Sequence, residues 1–420
     1  MMHKRKTYKY KTVISLAVAT MMAPLPSFAV DLVGSFIAAQ DADPTYQAAK
    51  ADKKATTSQA ISGRLSYLPN YLYTRQQLPT FTSPNMTQTV TQPIFNAAAA
   101  AQVGQGGPTM TLAGATFQSK TNDLATKTLN AVNQIVLATE AIKANDGQIN
   151  ALESQYKGAQ RKYELGQGTV TDMLDVQVKF EQAKANDLTL KANLKGAKDQ
   201  FFQITGIYPD HNDFILPNKH ENFTLEPLQA ILDKVEKENP NIISARATES
   251  IAKYDIAKAA GAVLPTVSYV LQKTNYNGVQ SNNNGIAISI PIDANSYADN
   301  YTAYAKAQAS TSNRLQAETQ TKVEAQKLHA LVEAGLESLK IKWKAMDTAR
   351  LSVTANQKSY EAGVKSTTDV LIAIQTLYQA RNEYAQAATN QASNYMNLLL
   401  VAAENPDEVV QKTQLFLFRK

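Results

Sequence analysis

The chain is written twice. Tyr163-Glu164-Leu165-Gly166 and Thr171-Asp172-Met173-Leu174 return 197 residues later as Tyr360-Glu361-Ala362-Gly363 and Thr368-Asp369-Val370-Leu371. Asp43-Pro44 returns as Asn239-Pro240 and Leu68-Pro69 as Leu264-Pro265, both displaced by 196, and Pro93-Ile94 as Pro291-Ile292, displaced by 198. Landmarks at nearly one offset mean that the fold is assembled from two homologous halves. Repeat one is expected over 30–206 and repeat two over 226–404, with a turn-rich linker at 207–225 and a C-terminal tail at 405–420.

Within each repeat the signals come in one order: helix, short strand, polar loop, short strand, long helical hairpin. In repeat two, Ile286, Ile288, Ile290 and Ile292 alternate with Ala287, Ser289, Pro291 and Asp293, the period of a strand with one apolar face. Strands are expected at 266–273 and 285–292, joined by an Asn- and Gly-rich loop at 274–285, and in repeat one at 66–74 and 86–95. Tyr67, Tyr71 and Tyr73 share one face of the first strand, whereas the second is rich in Thr and Gln.

The helical legs carry a narrow seam. Val176, Phe180, Ala183, Asp187, Leu190, Leu194, Ala197, Phe201 and Ile204 recur at alternating spacings of 4 and 3, and the shift of 197 maps them onto Ala373 through Val401. The leg at 96–165 is 70 residues and its return at 169–205 only 37, so the long leg rises about 105 Å and needs a second short helix above its return. The helical stretch at 226–262 has that length. Two short helices stacked end to end beside a long one make a tall wall. Inside the long leg, Gly104-Gln105-Gly106-Gly107-Pro108 is expected to break or kink the helix.

Charge and composition narrow the function. The net charge of +6 owes five cations to Lys4, Arg5, Lys6, Lys9 and Lys11. The apolar run 13–23 and Ser27-Phe28-Ala29 follow, so 1–29 reads as a secretory signal peptide. From Val30 onward, 37 Lys and Arg meet 36 Asp and Glu, and the case for nucleic acid disappears. The absence of cysteine excludes disulfides, thiolate-held metals and thiol nucleophiles, and four scattered histidines suggest no metal site. No catalytic constellation and no cofactor site stand out.

Four strands of about ten residues match the length of a membrane β-span, yet four cannot close a barrel, and open edges are forbidden in lipid. Closure therefore demands several copies: two supply 8 strands and three supply 12. The expected fold is mainly α with a small membrane β domain. Outer-membrane lipid would meet the Ile286, Ile288, Ile290 and Ile292 face.

In the order of these motifs the chain resembles the TolC family of outer-membrane factors, the ducts of type I protein secretion and multidrug efflux. The resemblance rests on the paired Asp-Pro and Asn-Pro helix starts, the Leu-Pro and Pro-Ile strand borders, the two hairpin tips and Gln203-Ile204-Thr205-Gly206. It implies a homotrimer with a 12-strand barrel in the outer membrane continued by a periplasmic α-barrel, docked to a periplasmic adaptor and an inner-membrane transporter. It also implies a periplasmic gate, matching position by position Asp172, Tyr360 and Lys365. Lys365 stands where the family has Arg and lacks the planar bidentate fork. Asp369 matches a pore-mouth acidic position, while the next position inward is Ile372. Simpler roles compete: N-capping for Asp172 and Asp369, and turns of positive φ for Gly166, Gly168 and Gly363. An adaptor-like periplasmic coiled-coil protein is the alternative, disfavoured because an adaptor would not repeat its strand and hairpin unit.

Overall fold

The computed structural model describes residues 31–77, 83–210, 213–216, 225–291 and 295–418. The expected signal segment, most of the middle of the linker and Ile292 lie outside them. Repeat one comprises α1 (Leu32–Ala42), α2 (Pro44–Arg64), β1 (Asn70–Gln76), β2 (Asn85–Phe95), α3 (Ala97–Glu164) and α4 (Val170–Thr205). Repeat two matches it with α5 (Leu228–Glu238), α6 (Pro240–Ala262), β3 (Thr266–Tyr276), β4 (Val279–Ser289), α7 (Asn295–Glu361) and α8 (Thr367–Val401), and the tail forms α9 (Pro406–Phe418).

The two long helices, of 68 and 67 residues, each run about 100 Å. Beside α3 stand α2 and α6 in its first half and α4 and α8 in its second; α7 leans on α6 and then on α8. The expected single stretch at 226–262 is instead cut in two by Asn239-Pro240. Proline cannot donate to the preceding turn, and Asn239 caps the new helix by accepting from the N–H groups of Asn241 at 2.9 Å and Ile242 at 3.3 Å. The same residue donates from Nδ2 to the last carbonyl of α8, Val401, at 2.8 Å. One side chain thus splices α8 to α6 end to end. Asp43 occupies the equivalent place, capping α2 through Thr45 and Tyr46 and taking the ammonium of Lys127.

A belt of apolar side chains fills the middle of the wall. Phe36 of α1, Val132 of α3, Phe201 of α4, Met396 of α8 and Leu417 of α9 are almost wholly buried there, each contributing about 1.5–3 kcal/mol by leaving water. The tail is therefore part of the core. A second cluster joins Val235 of α5, Ile242 of α6, Val332 of α7 and Leu398 of α8.

The seam on α4 holds at Val176, Ala183, Ala197, Phe201 and Ile204. Its copy on α8 buries a much broader face, adding Val370, Ile374, Ala385, Ala388, Ala392 and Met396, because α8 lies between α3 and α7 whereas α4 leans chiefly on α3.

Contrary to the sequence expectation, α3 continues through Gly104–Pro108. The glycines explain why. A Cβ on Gly104 would collide with the ring of Tyr254 on α6, and one on Gly106 would lie 2.9 Å from Nε of Arg64 and 3.0 Å from the carbonyl of Ala60 on α2. Close packing on both sides outweighs the roughly 3 kcal/mol that a helical proline costs.

The strands form one antiparallel sheet in the order β1-β2-β3-β4. The first strand begins at Asn70, later than expected, because residues Leu65–Tyr67 make a 3-10 turn. There the Tyr67 hydroxyl donates to the Asn96 carbonyl at 2.9 Å, so Tyr67 ties the sheet to α3 and is not a strand residue. The Asn-rich segment expected as a loop is mostly strand: β3 and β4 pair through Tyr276 and Val279, and only Asn277 (φ 51°) and Gly278 (φ 92°) make the turn. Because β4 ends at Ser289, Ile290 falls just beyond it.

Candidate functional site: the open sheet and the hairpin tips

Register assigns each strand residue to a face, since directly opposed residues point the same way. On one face Val267 opposes Ile288, Tyr269 opposes Ile286, and the row Tyr71, Val90, Leu271 continues the apolar surface. Ile286 and Ile288 are 67% and 66% exposed. The other face is mainly small and polar, with rows such as Thr89, Gln272, Asn283 and Thr87, Thr274, Ser281. Among the described residues, the outer edges of β1 and β4 have no strand partner. No helix of the described residues is long and apolar enough to cross a membrane.

At the far end of the wall both hairpins turn alike. Gly166 at φ 70° and Gly363 at φ 75° end their helices in left-handed conformation. Their N–H groups return to the carbonyls of Tyr163 and Tyr360, while Gln167 and Val364 return to Lys162 and Ser359. Gly168 departs from expectation: its φ is not positive, and it is small because a Cβ would lie 3.2 Å from Cβ of Lys162.

The next helices start with matched caps. The Thr169 hydroxyl accepts from the Asp172 N–H at 3.1 Å and donates to its carboxylate at 2.7 Å. Ser366 and Asp369 form a reciprocal capping box, with the Ser366 N–H donating to Asp369 at 3.0 Å. The Ser366 backbone bond, then its hydroxyl and the ammonium of Lys365 at 3.4 Å, hold the Asp369 carboxyl below the usual range. Asp172 and Asp369 are thus the same position of the two repeats.

Within one chain Lys365 pairs with Asp369, and no bond between Asp172 and Lys365 forms among the described residues. Tyr360 is half buried against the small core around Leu152, Val370 and Ile374. Over its ring, 3.7 Å from the centroid, sits Nζ of Lys162 from the other tip. Sequence reading overlooked Lys162, whose counterpart in repeat two is Ser359; only its place in the last turn of α3 hinted at more than solvation.

Residues 38–207 and 231–403, covering most of both repeats, match the family model described as outer membrane efflux protein. The chain belongs to that family. Its relatives include the alkaline protease secretion protein AprF of Pseudomonas aeruginosa, 25% identical, with 86% of this chain and 82% of that protein covered. The proteases secretion protein PrtF of Dickeya chrysanthemi is 22% identical across 98% and 96% of the two chains. Outer membrane protein TolC of Escherichia coli is 25% identical across 67% of this chain and 62% of its own.

Among solved structures, CusC superposes with a TM-score of 0.75 at 14% identity, covering 89% of this chain and 92% of that one. VceC of Vibrio cholerae does so with the same score, 14% identity and 89% and 96% coverage. This efflux protein is therefore an outer-membrane channel component with a large helical periplasmic part, and the adaptor reading falls away.

Proposed function

We propose that three copies of this chain form the exit duct of a tripartite secretion system, their twelve strands closing a barrel in the outer membrane above a barrel of periplasmic helices. The observation that carries the reading is the four-stranded sheet with two open edges and one apolar face, raised on a wall about 100 Å tall. Lipid would satisfy the Ile286 and Ile288 face, and only neighbouring copies can satisfy the edges. The signal peptide at 1–29 and the repeat boundaries read from sequence accord with such an exported, duplicated chain.

At the periplasmic mouth, Asp172, Tyr360 and Lys365 act as the gate. The two tips stand side by side, joined by Lys162 and Tyr360, and in the proposed ring Asp172 of one copy meets the second tip of another. Lys365 then exchanges its Asp369 partner for Asp172, a switch between two exposed ion pairs that keeps the closed state shallow. A periplasmic adaptor and an inner-membrane transporter complete the path. The cargo is protein: AprF and PrtF, whose names refer to protease secretion, align over most of this chain.

Expression in a strain deprived of its own exit channel, but keeping a protease pump and adaptor, tests this. Restored extracellular protease, with a heat-sensitive oligomer in the outer-membrane fraction, is the expected result. A monomer in periplasmic extract would overturn the duct; restored drug resistance without protease would redirect the cargo to small molecules.

A further inference from the structure

The four strands contain two cations, Arg75 and Lys273, and no acidic residue. Register puts both cations on one side of the sheet. Lys273 opposes Gln88 on β2 and Asn282 on β4, and Gln88 opposes Tyr73 on β1, so these four make one row on the face of Ile286 and Ile288. Arg75, Met86, Asn275 and Gln280 form the next row toward the Asn277-Gly278 turn. The opposite face, which the duct reading turns toward the pore, carries no charged side chain along the four strands. A cation facing hydrocarbon is costly unless it stands near the interface or meets an anion, and the sheet supplies no anion.

Height places the two rows at the interface. From Ile290 to Asn282 is eight residues, about 26 Å along the strand and about 20 Å across the membrane at the usual barrel tilt. That is close to the apolar band of roughly 25 Å on membrane barrels. The helical wall stands in the periplasm, so the turn end of the sheet lies in the outer leaflet and the Lys273 row at the level where headgroups begin. Below Lys273, on the same face, opens a hollow of about 300 Å³. Tyr71, Val90 and Leu271 are its apolar lining, and Gln88, Lys273 and Asn282 its polar rim. Arg75 stands two strands and one row away, about 12 Å from Lys273 in the plane of the sheet.

We infer that Lys273 and Arg75 hold the two phosphates of an outer-leaflet glycolipid, with one of its acyl chains in the hollow lined by Tyr71, Val90 and Leu271. Arg75 can take a phosphate through two parallel N–H bonds, Lys273 as a point charge. The amides of Gln88, Asn282 and Gln280 and the ring of Tyr73 share these two rows, and they suit sugar hydroxyls. A glycerophospholipid with one phosphate and no sugar would leave one cation and the amide row unmatched. Every group belongs to a single copy, so the site is complete before any barrel closes and fixes how deep the sheet sits in the bilayer.

This inference rests on the membrane-inserted duct proposed above, and the test separates the two. The full-length oligomer is extracted from outer membranes, stripped of lipid in detergent and titrated with lipopolysaccharide, reading bound lipid and the heat-dissociation temperature. Wild type is expected to bind and to dissociate at a higher temperature. Lys273→Gln combined with Arg75→Gln is expected to assemble normally and bind about tenfold more weakly, while Lys273→Arg binds as wild type does. Leu271→Trp fills the hollow, keeps both cations and also weakens binding. Lipopolysaccharide stripped of its phosphates, phosphatidylglycerol and inorganic phosphate are each expected to bind about tenfold more weakly than the intact glycolipid. Undiminished binding by the double variant or by the dephosphorylated lipid would overturn the site. Equal binding of phosphatidylglycerol or inorganic phosphate would overturn the glycolipid as its occupant, and undiminished binding by Leu271→Trp the seat of the acyl chain. If an oligomer forms in the outer membrane yet binds no lipopolysaccharide, the site falls and the duct stands. If no oligomer reaches that membrane, both fall.

Discussion

Lys162 and Tyr360 join the two hairpin tips of one chain, the ammonium 3.7 Å from the ring centroid. At a half-exposed site such a contact is worth about 0.5–1 kcal/mol. Lys162→Met therefore frees the tips to move apart, and single channels in planar bilayers open about two to five times more often. Tyr360→Phe keeps the ring beneath Lys162, so a rise in conductance with that variant isolates a role of the hydroxyl between copies. Asp172→Ala raises conductance if it closes the mouth; unchanged conductance would reduce Asp172 to a helix cap.

Asp43 gives the fold a pH dependence. Burial pushes its carboxyl up, but bonds from Lys127, Thr45 and the Tyr46 N–H together prevail and hold it at about 2. Because folding lowers this pKa, its contribution is complete above about pH 4 and is lost as the pH falls toward 2. Asp43→Asn is expected to cost about 1–2 kcal/mol at neutral pH, measured by denaturant unfolding followed by circular dichroism, with the difference from wild type vanishing near pH 2.

The splice at Asn239 separates two jobs of one amide. Asn239→Asp keeps the cap of α6 but loses the donor to Val401 and sets a carboxylate beside a carbonyl; Asn239→Ala loses both. Each is expected to destabilise by about 1–2 kcal/mol, seen as a lowered thermal midpoint. Equal stability of Asn239→Asp and wild type would show that the splice contributes nothing.

Glycines in the same wall separate by what surrounds them. A Cβ at Gly261 would lie 2.5 Å from the backbone nitrogen of Ala98, where α6 crosses the start of α3, so Gly261→Ala costs about 1–3 kcal/mol. At Gly114 nothing lies within 4 Å, and Gly114→Ala stabilises by about 0.5–1 kcal/mol. Thermal unfolding of the two variants moves in opposite directions.

What the sequence disclosed was local or repeated. Hairpin tips were legible because a glycine turn followed by Thr-Asp at a helix start is a short-range code, although the N-caps are Thr169 and Ser366 and the aspartates expected as caps lie three residues on, and the stacked wall because leg lengths can be counted. The upper sheet was hidden. Lys273, Asn282, Asn283 and Asn284 are polar toward both faces, so no period of 2 marks them, and the ladder to β3 overrides their loop-like composition. The Asn277-Gly278 turn was the overlooked signal. Continuity of α3 through Pro108 depended on neighbours distant in sequence, as did the difference between α4 and α8, whose heptads match while their numbers of flanking helices differ. Lys162 at the tips had no repeat partner to announce it.

The bare margins of β1 and β4 impose an order of events on biogenesis. If the sheet inserts as proposed, a lone copy reaching the bilayer would carry two rows of unmated amides into oil, which favours mutual recognition of the helical shafts while they are still in water. On that reading insertion is a single act by all the staves, and a cell that makes one defective copy in three risks stranding two sound ones.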